Sequence, residues 1–230
     1  MSLTTGRGPL GSRPAGHFSG PVPTGISYVE PFGRRVRGLV GDHVVIDSEA
    51  VLLVHRPDQP PTFAFPRGDV ADVATEPEPL TPGHVRVAWD ALDTWMEEDQ
   101  VMGGRPRNPY HRVDIVPTSR LLVVEALGVT LVRTTRTTGL YETSLAPRLY
   151  VAPSEVRTDL LVRSDTTTWC GYKGVASYWT LEVDDRRIAD VAWSYDDPLP
   201  ESLPIGGMLC FDDTRVSVTT DLPTTPDAAP

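Results

Sequence analysis

Cysteine is nearly absent from this chain. Of 230 residues only Cys170 and Cys210 carry a thiol, far apart and with no Cys-x-x-Cys pair. That excludes a cysteine zinc cluster and a disulfide scaffold, and it suits a reducing compartment, so a cytoplasmic protein is expected. The five histidines (His17, His43, His55, His84, His111) form no His-Glu-x-x-His or other ligand spacing, so no metal is expected. Basic residues are also scarce: 21 Lys and Arg stand against 31 Asp and Glu, a net charge of −10. Such a surface repels phosphate backbones, which speaks against a nucleic-acid polymer as partner. Long apolar runs are missing too. Leu121–Val132, LLVVEALGVTLV, is interrupted by Glu125 and Gly128 and falls short of the roughly 18 residues of a membrane span. The opening MSLTTGRGPLGSRP lacks the apolar stretch of a signal peptide, and neither GxxxxGK[ST] nor GxGxxG occurs.

The residues present point to strands. Residues 1–34 are rich in Gly, Pro and Ser with no carboxylate before Glu30, which predicts an irregular arm; the Pro-rich tail 222–230 is expected to fray. Between them lies an internal repeat. RVRGLVGDHVVIDS (Arg35–Ser48) and RLLVVEALGVTLVRT (Arg120–Thr134) each suggest strand, turn, strand, with Gly128 placed like Gly41. Each then runs, at equal spacing, into an aromatic strand and an acidic-Val pair, Asp69–Val70 and Glu155–Val156. The expected layout is all-β: a first domain over 35–100, a linker over 101–119 and a fuller second domain over 120–221.

In the second domain SYWTLEV (Ser177–Val183), RRIADVAWSY (Arg186–Tyr195), GMLCF (Gly207–Phe211) and RVSVTT (Arg215–Thr220) are predicted strands. Asp184–Asp185 and Asp212–Asp213 are predicted turns between paired strands. Alternation puts Tyr178 opposite Trp179 and Leu181, and sets Val191, Trp193 and Tyr195 on one face. In the first domain VAWDALDTWMEED (Val87–Asp99) carries Trp89, Leu92, Trp95 and Met96 at spacings that share one helical face, which predicts one short helix covering a sheet.

The stretches YVAPSEVRTDLL (Tyr150–Leu161), SDTTTWCGYKGVASYW (Ser164–Trp179), DVAWSYDDPLP (Asp190–Pro200) and FDDTRVSV (Phe211–Val218) carry a family resemblance. The second half resembles family 427 of the bacterial domains of unknown function, a nucleotidyltransferase-like family. The first half resembles the degenerate leading copy of its tandem members, followed by the linking motif WMEEDQ…RPRNPYHRVDIVPTSR (Trp95–Arg120). The resemblance implies small, tent-shaped β folds of the Mss4-like kind and some form of nucleotide chemistry. Two departures stand out: Arg105–Pro106–Arg107 replaces an expected His-Pro-Arg, and the paired Cys-x-x-Cys motifs of other Mss4-like proteins are missing.

Candidate site residues cluster in two places. In CGYKG, Cys170 is a nucleophile candidate whose thiolate Lys173 would favour; the plainer alternative is a space-filling thiol beside Trp169. Lys173 is a Schiff-base or phosphate-binding candidate, or a solvated turn lysine. Tyr172, Tyr178, Trp193 and Tyr195 would add an aromatic pocket if they converge with it, although Trp193 also suits a core. The second cluster, around Arg107, Tyr110 and Arg112, suggests an anion site or an ion-pair network in which Arg112 and Asp114 join the halves. The function expected is that of a small-molecule-binding β protein, with an enzyme acting on a metabolite or nucleotide within the same expectation. A non-catalytic interaction protein is the alternative, and a Mg²⁺-dependent nucleotidyltransferase a third. No pattern names a cofactor, substrate or oligomeric state.

Overall fold

Val36, Ile46, Val51, Leu53, Phe63, Phe65, Leu92 and Trp95 leave water together and form the core of one unit. A computed structural model describes residues 3–223, and the chain divides into two units between His111 and Arg112. All pairing between strands is antiparallel, so the expected all-β class holds. Residues with apolar side chains at every second position suit a pleated, half-buried surface, and each full burial contributes about 1.5–3 kcal/mol.

In the first unit one sheet runs in the order Tyr28–Pro31, Leu52–His55, Thr62–Pro66, His84–Arg86, Glu76–Pro77; the other runs His43–Ser48, Val36–Val40, Thr94–Glu97, Gln100–Val101. Tyr28–Pro31 falls within the expected arm and is the first strand. Upstream, Thr4 is buried: its hydroxyl donates to Arg56 O at 3.1 Å and its carbonyl accepts from Asp58 N at 3.0 Å.

The predicted helix shrinks to one 3₁₀ turn, Trp89–Ala91, and Thr94–Glu97 is a strand. Pairing with Val36–Leu39 satisfies the backbone of Thr94–Glu97 and puts Trp95 opposite Gly38. A Cβ on Gly38 would meet Leu92 Cδ1 at 2.4 Å and Ile46 Cδ1 at 3.1 Å, so a larger residue there would have to displace those two side chains. Trp89 and Trp95 stack with centroids 4.7 Å apart and planes 3° from parallel, and the Trp95 indole donates to Trp89 O at 2.9 Å. The large apolar residues that mimic a helical stripe are therefore held by one ring stack and a sheet.

The second unit contains three sheets: Val113–Thr118, Thr137–Glu142, Arg148–Tyr150; Val129–Thr134, Leu122–Ala126, Ser217–Thr220; and Leu161–Cys170, Gly174–Val183, Arg186–Ser194, Leu209–Phe211. Val113–Thr118 falls within the expected linker. Two clusters of buried side chains form here, and alternation deals residues between them. Leu149, Leu181, Leu209 and Phe211 enter one, with Trp179 and Val183 packed against it. Tyr150, Ala176 and Cys210 enter the other, with Tyr178 packed against it.

Three local expectations change. Asp190 has φ 53° at a bulge where the pairing jumps from Trp179↔Ala192 to Leu181↔Ile188. The extra residues send Val191 into the first cluster, away from Trp193 and Tyr195. Asp184–Asp185 does form a hairpin turn, but Asp212–Asp213 links strands of different sheets. The turn equivalent to Gly41 (φ 55°) is Leu127 (φ 51°), with Gly128 one position later. The tail beyond Pro223 lies outside the described residues.

The pairing in the two units coincides after a shift of 86 residues. Leu52↔Ala64, Leu53↔Phe63 and Val54↔Thr62 become Thr138↔Tyr150, Gly139↔Leu149 and Leu140↔Arg148. The bridge Ile46↔Val70 becomes Val132↔Val156. The hydroxyl of Ser48 donates to Asp69 at 2.6 Å, and that of Thr134 to Glu155 at 2.6 Å.

Candidate functional site

The CGYKG stretch is the turn of the long hairpin joining Leu161–Cys170 to Gly174–Val183. Its shape follows from Gly174, whose φ of 96° lies in the left-handed region and whose added Cβ would stand 3.3 Å from Asp197 O. The Lys173 carbonyl accepts from Leu199 N at 3.1 Å and the Tyr172 carbonyl from the Ser202 hydroxyl at 3.1 Å. The 3₁₀ segment Pro200–Ile205 thus holds one side of the turn, and Lys173 points inward instead of into water. Lys173 is only 7 % exposed, and its ammonium donates to Glu142 Oε2 at 2.5 Å. Glu142 ends the Thr137–Glu142 strand.

This ion pair stands in the wall of a cavity of about 350 Å³. Leu140, Glu142, Leu145, Ala146, Arg148, Tyr150, Lys173, Tyr178, Trp193, Tyr195 and Asp212 line it. The hairpin Thr137–Tyr150 supplies one wall. The alternate positions Tyr178, Trp193 and Tyr195 of the larger sheet supply the other.

Polar contacts organise the aromatics. The Trp193 indole donates to the Tyr150 hydroxyl at 3.0 Å, and the Arg148 guanidinium lies 5.8 Å from the Trp193 ring centroid while donating to Asp213 at 3.0 Å. The Tyr178 hydroxyl meets Thr168 Oγ1 at 3.0 Å. The Tyr195 hydroxyl has no hydrogen-bond partner among the described residues, although the residue is only 5 % exposed. Burial, reinforced by Cys170, Tyr178 and Glu142, holds the Tyr195 phenol above its ordinary pKa. Burial likewise raises Tyr150, with Cys210 and Tyr195 adding to it. Beneath the cavity, burial pushes the Cys210 thiol up to about 12, so it stays protonated. Burial would raise Asp212, but bonds from Thr214 and the charges of Arg215 and Arg148 bring its carboxyl below the usual range.

Four candidates from the sequence therefore converge: Lys173, Tyr178, Trp193 and Tyr195. Lys173 is not the solvated turn lysine of the plainer alternative. Cys170 is half-buried at the end of its strand and packs against the same cluster as Tyr178, but it does not line the cavity. Tyr172 does not line it either. Arg112 is an exposed residue whose Nε donates to Asp114 at 2.7 Å within the second unit. Arg107 and Tyr110 belong to the first unit. There the Tyr110 hydroxyl donates to Glu30 at 2.9 Å, and the other Glu30 oxygen meets His55 Nε2 at 2.8 Å. The Tyr28 hydroxyl, burial and Glu30 together raise the Tyr110 phenol.

Glu142, Arg148 and Tyr150 join the lining without a motif to announce them, and Asp212, expected only as a turn residue, joins it too. For Glu142 and Arg148 the one signal in the sequence is a carboxylate and a guanidinium bracketing the polar loop ETSLAPR.

The first unit differs at the equivalent rungs. Ala64 replaces Tyr150, Thr62 replaces Arg148, and Arg56 stands at the position of Glu142. The Arg56 guanidinium bonds Thr62 at 3.1 Å and the fully buried Glu78 at 2.5 Å. A separate cavity of about 330 Å³, lined by Thr62, Arg86, Trp89 and Arg105 among others, occurs in that unit.

Among the described residues no group of three or more His, Cys, Asp or Glu could hold a metal ion, and no helix is long and apolar enough to cross a membrane. No curated protein matches the chain. Residues 114–222, which contain every residue lining the larger cavity, match the family described as Domain of unknown function (DUF427), NTP_transf_9.

Proposed function

We propose that the second unit binds a small organic molecule in the cavity between the Thr137–Tyr150 hairpin and the Tyr178–Tyr195 face. The observation that carries this is the cavity itself, on which Lys173, Tyr178, Trp193 and Tyr195 converge with the Glu142 carboxylate and the Arg148 guanidinium. A volume of about 350 Å³ falls in the usual range for small-molecule sites, about 300–1,000 Å³. The mixture of aromatic walls and a few convergent polar groups supports the same reading.

A nucleotide belongs among the ligands to be tried, because the family name NTP_transf_9 speaks of that chemistry. Transfer with Mg²⁺ has less support, since the acidic pairs have other work. Asp184–Asp185 makes a turn, Asp196 pairs with Arg163, and Asp213 pairs with Arg148. The shared pairing register supports a further inference that the two units are related copies, of which the second retains the site.

A thermal-shift screen of the wild type against nucleotides with and without Mg²⁺, sugars, acids and amines tests the proposal. A ligand at about 100 times its Kd adds about 2.7 kcal/mol, enough for a readable rise in Tm. The expected result is a rise with one ligand class that Tyr195→Phe reduces. A flat screen across all classes overturns the reading.

A further inference from the structure

We propose that the cavity takes a small planar carboxylic acid, its carboxylate held by the hydroxyls of Tyr150 and Tyr195 and the ammonium of Lys173, and its body lying along Trp193. This rests on the second-unit cavity being a ligand site, and it assigns the chemistry of the ligand.

The assignment comes from counting protons. A neutral phenol has one proton to donate. The Tyr150 oxygen already accepts the indole N–H of Trp193 at 3.0 Å, so that bond does not employ the Tyr150 proton. No other bond of the Tyr150 hydroxyl occurs among the described residues, and the Tyr195 hydroxyl makes none there. Both residues are at least nine-tenths buried, Tyr150 at 1 % and Tyr195 at 5 % exposure. Burial raises both pKa values, so both groups remain O–H across the physiological range. Tyr195 and Glu142 are among the groups whose charge acts on Tyr150, so the two phenols and the ion pair occupy one neighbourhood. Lys173 spends one of its three N–H bonds on Glu142.

The cavity therefore presents two phenol protons with no acceptor among the described residues, while the lining carboxylates Glu142 and Asp212 accept from Lys173 and Thr214. An ammonium ligand brings only further donors and leaves the two phenols unmet. A neutral carbonyl brings a single acceptor oxygen. A carboxylate brings two oxygens and about four lone-pair directions, enough for both phenols and one Lys173 proton. Charge does not oppose it. Lys173 and Glu142 cancel, Arg148 offsets Asp213, and Arg215 offsets Asp212 at 3.4 Å. The anion is received by oriented O–H and N–H dipoles at short range, where charge-assisted hydrogen bonds are strongest. The flat indole of Trp193 and the side chain of Leu140 favour a planar, apolar body.

Titration calorimetry of the full chain at pH 7 with benzoate, benzamide and benzylamine tests the assignment. These three share one ring and differ in the group offered to the phenols. Benzoate is expected to bind with one site per chain, benzamide at least about tenfold more weakly, and benzylamine without detectable heat. Tyr195→Phe, which keeps the ring and its packing, is expected to weaken benzoate by about tenfold, the equivalent of about 1.4 kcal/mol for one lost bond. Tyr150→Phe is expected to do the same, and an unchanged Tm in either variant shows that the fold is intact. Benzylamine binding while benzoate is silent overturns the carboxylate assignment and leaves the ligand site standing. Benzoate binding that neither Phe variant alters also overturns the assignment. Silence from all three probes does so as well, and the broad screen then decides separately whether the cavity binds anything.

Discussion

Lys173 shows how much of a residue's role depends on where its chain turns. As one letter in CGYKG it is indistinguishable from a solvated turn lysine; held by Leu199 and Ser202, it becomes half of a buried ion pair with Glu142. Removing one partner strands the other charge in a poorly solvated place, which typically costs about 3–5 kcal/mol, while an apolar or neutral pair of similar shape can be tolerated. Lys173→Met is therefore expected to lower the urea midpoint by an amount of that order, and Lys173→Met combined with Glu142→Gln to recover most of it. A double variant no more stable than the single would contradict the pairing. The first unit has a comparable case in Glu78. Burial opposes ionisation of its carboxyl, but the Leu80 N–H and the Arg56 guanidinium outweigh it and lower the pKa. A carboxyl lowered on folding stabilises the protein above its unfolded pKa of about 4.3, and that stability is lost as the pH falls. Urea midpoints measured at pH 6 and pH 3 should fall steeply for the wild type and less for Glu78→Gln.

Gly174 governs the hairpin that presents Lys173. Its positive φ and the nearness of Asp197 O mean that Gly174→Ala must strain the turn, at an expected cost of about 1–2 kcal/mol. Gly171→Ala, three positions before Gly174 and with open space around its Cβ, is the control and should change the thermal midpoint little. Elements of this kind also show what was legible in the sequence. Alternation along SYWTLEV correctly separates Tyr178 from Trp179 and Leu181, because one side of that strand faces each cluster. It fails at Asp190, where a left-handed residue inserts a bulge that nothing in RRIADVAWSY announces. It also fails over Val87–Asp99, where helical spacing and sheet pairing make the same demand for apolar residues and the pairing with Val36–Leu39 marks the outcome. Half the cavity wall was visible as aromatic residues on predicted strands. The other half, Glu142, Arg148 and Tyr150, was not, because a polar hairpin end looks the same in sequence whether it faces solvent or a buried lysine.

The whole molecule carries two units with one pairing register, yet Tyr150, Arg148 and Glu142 have no like counterparts in Ala64, Thr62 and Arg56. The number of benzoate molecules bound per chain should therefore be one, and a calorimetric stoichiometry of two would mean that the first unit also serves as a site. The exchange of Glu142 for Arg56 has a further consequence for folding. Two halves that pair their strands alike are at risk of trading strands with each other while the chain is still assembling. If Thr137–Glu142 took the place of the strand Leu52–His55, Glu142 would arrive beside Glu78, carboxylate against buried carboxylate. The reverse exchange would bring Arg56 to Lys173, cation against cation. The opposite polarity of the two ion pairs would thus penalise a crossed partner and favour each half keeping its own strand.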